Sequence, residues 1–206
     1  MAYSLLPSLE FLKLKEEAKA CRVCEASLPR GPKPIFQAHP SAVITIVGQA
    51  PGTKVHETGI PWNDASGDRL RAWMGVSREV FYDETRVAIV PMGLCYPGRG
   101  KGGDLPPRPE CAPLWQMRFL SALPHIQLIL LVGAWAQRFY LGKASTLTET
   151  VRNFLSLPQR FFPLVHPSPR NQLWLKRNPW FEADLLPELK VRVHALVPAR
   201  SENPAQ

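Results

Sequence analysis

The sequence predicts a three-layer α/β/α domain around a central four-stranded, mostly parallel sheet. Three observations carry that expectation. Four short runs are apolar throughout instead of alternating, as in strands covered on both faces. Stretches with helical apolar spacing lie between them. Loops rich in Gly, Pro or small polar residues follow the runs, and ligands bind at such strand ends in an α/β sheet.

The four runs are Ala42–Val47, Val87–Pro91, Ile126–Val132 and Phe161–Val165, each rich in β-branched or aromatic residues. Gly67–Met74 reads as a helix through Leu70 and Trp73, and Pro109–Leu123 through Leu114, Met117 and Leu120. Ala134–Leu141 follows the third run directly, and Thr146–Leu155 opens on a capping threonine. Asn178-Pro179 reads as cap and first residue of a last helix, which Pro187 should kink or restart. Residues 1–206 are read as one domain, with segment 1–40 pinned by the cysteine site described below and a frayed tail over 199–206.

Composition narrows the class of protein. Apolar residues make up 45% of the chain and charged residues 20%, enough for a core and unlike a disordered tail. The longest apolar run, Ile126 to Trp135, is far short of the roughly 20 residues that span a bilayer. The first twenty residues mix charge with apolar side chains and lack the layout of a signal peptide. The expectation is a soluble, intracellular, cytoplasmic protein with no membrane partner. Lys and Arg number 25 against 17 Asp and Glu, giving a net charge of +8 and a pI near 9.6. Such a chain is attracted to polyanions, nucleic acid foremost. Its 22 prolines are spread along the chain, as expected of bent, ordered loops.

Chemistry is expected at three strand ends, which read GQAPG (Gly48–Gly52), MGLCYPG (Met92–Gly98) and HPSPRN (His166–Asn171). Glycines after the first strand let a ligand approach backbone amides. Downstream, Gly59-Ile60-Pro61-Trp62 presents an indole on a stiff turn, with Asp64 just before a helix. Asp64 has two readings, helix cap or functional carboxylate. In HPSPRN two prolines hold His166, Ser168, Arg170 and Asn171 in a rigid loop. That makes His166 a better functional candidate than an average histidine.

Cys21 and Cys24 form a CxxC, and Cys95 and Cys111 bracket a Gly/Pro-rich loop. A chain of this length without a secretory signal argues against a disulfide framework. A redox pair would leave two cysteines unused. Four thiolates converging on zinc or an iron–sulfur cluster fit, and spacing does not choose between these metals. A CxxC turn with two unrelated core cysteines is the bland alternative.

From about Cys21 to about Pro198 the chain resembles the uracil-DNA glycosylase superfamily. GQAPG is similar to its first motif and HPSPRN to its second, in the same order and separation. The four cysteines resemble those of the iron–sulfur branches, families four and five. The resemblance implies a glycosylase that removes uracil or a related deaminated base from DNA in base excision repair. It further implies a structural [4Fe–4S] cluster on Cys21, Cys24, Cys95 and Cys111, zinc being the lesser alternative, and action as a monomer. Asp64 stands where family five places its activating Asp, and Trp62 where a base-stacking Phe is usual. His166 would donate to a base carbonyl, with Gln49 and Ala50 lining the base pocket. Arg170 would enter the gap left by the flipped base, as Arg does in the single-strand-selective monofunctional enzymes. Ser168 and Asn171 would meet DNA or fix the loop, and Arg99, Lys101 and Arg108 could meet phosphates. Three departures stand out. Ala50 replaces the Asp of the best-known members, Gln49 replaces the Glu of family four, and Val90–Gly93 hold no Asn. They leave base specificity open and keep a non-catalytic nucleic-acid-binding descendant as the alternative.

Overall fold

The computed structural model describes residues 6–143 and 145–198. The tail expected to fray, 199–206, lies outside the described residues. The strands are β1 (Ile44–Val47), β2 (Val87–Ile89), β3 (Arg99–Gly100), β4 (Gly103–Asp104), β5 (Leu128–Val132) and β6 (Phe161–Leu164). The central sheet has the order β2-β1-β5-β6 and every pairing in it is parallel. Ile44 of β1 stands opposite Val87 on one side and Leu128 on the other. Every residue of β1, β2 and β5 is buried, which is why these runs do not alternate. β3 and β4 form a separate small antiparallel hairpin.

Each strand is shorter than the apolar run that announced it. After β2, Val90 still donates to the Ile46 carbonyl at 3.0 Å, but Pro91 has no N–H to continue. Both sheet edges are modified. Gln37 and Ile89 exchange backbone hydrogen bonds of 2.9 and 2.7 Å in an isolated antiparallel bridge on β2. On β6, Pro163 stands opposite Leu131.

The helices are α1 (Leu9–Lys19), α2 (Thr53–Thr58), α3 (Ala65–Met74), α4 (Arg78–Tyr82), α5 (Cys111–Ser121), α6 (Ala134–Leu141), α7 (Leu147–Arg152), α8 (Gln172–Arg177) and α9 (Leu186–Leu196). Thr146 caps α7 in a capping box with Glu149. A 3₁₀ turn at Phe154–Ser156 replaces the expected end of that helix. A π turn over Phe181–Leu185 leads directly into α9. Pro187, in the first turn of α9, has no N–H to give, and the wider turn before it accommodates the missing bond. Among the described residues no helix is long and apolar enough to cross a membrane.

The N-terminal segment is held by packing. Phe11, Leu14 and Ala18 of α1 join Trp115 and Phe119 of α5 in one apolar cluster against Ala88 and Val90. Three buried glutamines then satisfy backbone carbonyls that the sheet and loops leave over. Gln37 Nε2 donates to the Phe81 and Val87 carbonyls at 3.1 and 2.7 Å. Gln137 Nε2 donates to Leu131 and Leu164 at 3.2 and 3.0 Å. Gln116 Nε2 donates to Val90 and Pro91 at 3.2 and 2.8 Å, and its Oε1 accepts from Tyr140 Oη at 2.9 Å. Burial pushes the Tyr140 phenol up to about 12, so it remains a donor. Replacing Gln116 by Leu leaves three buried polar groups short of a partner. The expected cost is about 3 kcal/mol, read as a lower urea midpoint at unchanged m-value.

Candidate functional site

A cavity of about 340 Å³ opens at the carboxyl ends of β1 and β6, within the range of small-ligand pockets. The strand order turns back between β1 and β5, so this is also the crevice that sheet topology favours. Gln49, Ala50, Trp62, Asp64, His166, Ser168 and Arg170 all line it, drawn from segments more than a hundred residues apart. Asn171 stands behind the wall, where its Nδ2 donates to the His166 carbonyl at 2.7 Å and fixes the loop.

Trp62 is placed by a constrained turn. Asn63 N–H closes it onto the Ile60 carbonyl at 3.3 Å, with Pro61 and Trp62 at its centre. Trp62 has φ 56° and is the one non-glycine in the left-handed region among the described residues. That position of a turn ordinarily selects Gly or Asn. Its surroundings hold it there. A Cβ on Gly67 would fall 1.7 Å from the Trp62 carbonyl oxygen, and one on Gly48 would fall 2.8 Å from the indole Cζ2. Arg71, buried in α3, donates to the Trp62 carbonyl at 3.4 Å and to Tyr82 Oη at 3.3 Å, and Tyr82 Oη donates to the Pro61 carbonyl at 2.9 Å. The indole lies beside the His166 ring, centroids 5.5 Å apart and planes at 31°.

Asp64 caps a helix and also stands on the cavity wall. Its Oδ1 accepts from Gly67 N–H at 2.9 Å as the cap of α3, and the residue also lines the cavity. At His166, the Ser168 N–H donates to Nδ1 at 3.2 Å. The neutral ring therefore carries its proton on Nε2. Burial pulls the His166 pKa down, and the nearby Asp64 charge opposes that only in part.

The β3–β4 hairpin forms a wall that the sequence did not announce. Gln49 Nε2 donates to the Leu105 carbonyl at 3.2 Å, and Arg170 Nη1 donates to the Gly102 carbonyl. The hairpin is thereby tied to both motif loops. It carries Asp104, opposite Arg99, into the cavity wall, where the carboxylate lies against Gly52. Burial raises the Asp104 pKa, Arg99 and Arg170 draw it back, and Asp64 adds to the rise. A carboxyl opposite an arginine in a Gly-rich loop was the available signal.

The sequence profile of the Uracil DNA glycosylase superfamily matches residues 36–190, most of the chain. The chain belongs to this superfamily. Membership in the uracil DNA glycosylase superfamily suggests DNA glycosylase activity, and the family acts on DNA.

In this member of the superfamily the four cysteines line a second, smaller cavity together with Arg108 and Trp115. They are free thiols. Among the described residues no three or more His, Cys, Asp or Glu are grouped to hold one metal ion. Leu94 N–H donates to Cys111 Sγ at 3.2 Å. Burial pushes the Cys95 thiol up to about 11 and Cys111 to about 12. Cys24 is also raised, by burial first and then by Glu110, the opposite of an activated redox thiol. One run of backbone joins the two cavities. Met92 N–H donates to the Gly48 carbonyl and Gly93 N–H to the Gln49 carbonyl, both at 2.9 Å, and the next amide is the one on Cys111.

Two outcomes follow. Gly67→Ala forces the Trp62 carbonyl away and should cost about 3 kcal/mol or more, seen in chemical denaturation. His166 folds with a lowered pKa, so its contribution is fully present above the unfolded value of about 6.5 and is lost as pH falls toward the folded value. His166→Gln should therefore lose less stability than wild type between pH 7.5 and 5.5, read from urea midpoints; His56, lowered chiefly by burial, adds slope in the same direction in both proteins.

Proposed function

We propose that the protein hydrolyses the N-glycosidic bond of uracil or a related deaminated base in DNA, as a monofunctional glycosylase of base excision repair. The observation that carries this reading is the meeting of Asp64, Trp62 and the Nε2–H of His166 in one cavity at the strand ends. A flipped nucleotide enters that cavity. The bond from sugar C1′ to the base nitrogen breaks, and its electron pair leaves with the base. Asp64, with one oxygen held by the α3 cap, stabilises the positive charge on the sugar and orients water, whose oxygen bonds to C1′. The water proton passes to the base. His166 donates from Nε2 to a base carbonyl that gains negative charge. Trp62 stacks on the base.

Deamination converts a ring nitrogen acceptor into an N–H donor. Two acceptors suit it, the Asp104 carboxylate and the amide oxygen of Gln49, whose nitrogen is engaged by Leu105. They take the part of the amide that Val90–Gly93 lack. Arg170, in the second motif loop, lines the cavity and rests on the hairpin tip through Gly102, from which it can enter the gap that the flipped nucleotide leaves in the duplex. Ser168 and Asn171 hold the loop that presents it.

We also propose a structural [4Fe–4S] cluster on Cys21, Cys24, Cys95 and Cys111, as in family four or five. Four thiols around one cavity, with an N–H already directed at Cys111, support it. Zinc asks for four sulfurs about 2.3 Å from a single ion, whereas a cluster spreads them over several irons. Bound there, the group would supply cross-linking between the N-terminal segment and the loop after β2.

A second reading is a non-catalytic descendant that binds DNA or a free base. Pro91 favours it, since it lines the cavity and offers neither side-chain amide nor N–H.

The test is base release from end-labelled DNA carrying one uracil, hypoxanthine or xanthine, single- or double-stranded, with protein purified without oxygen. Alkali-labile cleavage by wild type and a roughly 10²- to 10³-fold loss in Asp64→Asn are expected. Asn also caps helices, so the fold is retained. DNA binding without cleavage of any substrate would favour the second reading. Equal rates for wild type and variant would remove Asp64 from the mechanism.

A further inference from the structure

We propose that Arg108 and Trp115 donate their buried side-chain N–H groups to the sulfur atoms of the iron–sulfur cluster, acting as its positioning residues. This rests on the reading of the four cysteines as cluster ligands. Both residues line the cysteine cavity. Among the described residues four buried side-chain polar atoms lack a partner, and two of them are Arg108 Nε and Trp115 Nε1. Buried donors without acceptors are rare in folded proteins, so two around one small cavity point to an acceptor that belongs there. Thiolate and sulfide sulfur is such an acceptor, and N–H groups that surround clusters in this way set their potential.

The rest of the cavity follows the same pattern. Leu94 N–H meets Cys111 Sγ at 3.2 Å. Among the described residues lining the cavity, Arg108 is the one cation, and a four-thiolate cluster needs positive charge beside it. Glu110 works against this, because it faces Cys24 Sγ at 3.8 Å. Arg108 Nη2 binds that carboxylate at 3.2 Å, which leaves Nε available and offsets the acidic charge.

The experiment compares full-length wild type, Trp115→Phe and Arg108→Gln, all purified without oxygen. Iron content, reduction potential, melting temperature and the rate of cluster bleaching by a chelator are measured. Trp115→Phe removes the donor together with the five-membered ring of the indole, so a modest fall in melting temperature from lost packing is expected there. Both variants should hold iron at first, and Arg108→Gln should melt near wild type. They should bleach about tenfold faster or more. Their potentials should be lower, since a hydrogen bond to sulfur favours the more negative, reduced cluster. Wild-type potential and bleaching in both variants would overturn the proposal and leave the cysteine reading intact. Faster bleaching with a lower melting temperature and an unmoved potential would also overturn it, as a packing defect. Wild-type protein that holds zinc or no metal would overturn both readings together.

Discussion

The pocket depends on the contact between the Trp62 carbonyl and the Cα of Gly67. The first turn of α3 comes so close to the preceding loop that no side chain fits between them. That approach holds Trp62 at a positive φ, directs its indole over Gly48 and sets the plane beside His166. It also brings Asp64 to the head of α3, where capping and facing the cavity are compatible. Arg71 and Tyr82 brace the turn from behind. The strain of the turn is thus met by interactions that also arrange the functional side chains.

Rigidity at the strand ends has a second source. Beyond β2 the chain cannot continue in the sheet, yet its carbonyls stay buried. Gln116 takes two of them, and the amides of Met92 and Gly93 turn back onto the loop after β1. The following amide belongs to the cysteine cavity. The backbone that shapes the strand-end cavity is therefore continuous with the backbone around the thiols. Under the proposed reading, a cluster bound at the cysteines would stiffen that cavity without taking part in its chemistry.

The central sheet was legible because burial on both faces demands continuous apolar runs, and the four runs share that property. GQAPG and HPSPRN were legible because glycine and proline report backbone geometry directly. The helix α1 was not anticipated. Leu9 is 78% exposed and Leu12 44% exposed, and they blur the stripe formed by Phe11, Leu14 and Ala18. The β3–β4 hairpin was illegible for another reason. Its strands are two residues long and hold no apolar alternation, so nothing in the sequence singled out Asp104. The left-handed turn at Trp62 could not be read either, because its cause is Gly67, which reads simply as an early residue of a helix.

The two modified edges of the central sheet bear on how the protein behaves when crowded. An open edge strand offers its free N–H and C=O groups to any passing strand, and so seeds aggregation. Here the antiparallel bridge from Gln37 occupies the outer side of β2, and Pro163 removes a donor from β6. The segment carrying Gln37 joins α1 to β1, so the N-terminal region acts as a guard rail along an otherwise sticky border. Clipping that segment away would release a template for misassembly even if the pocket itself survived.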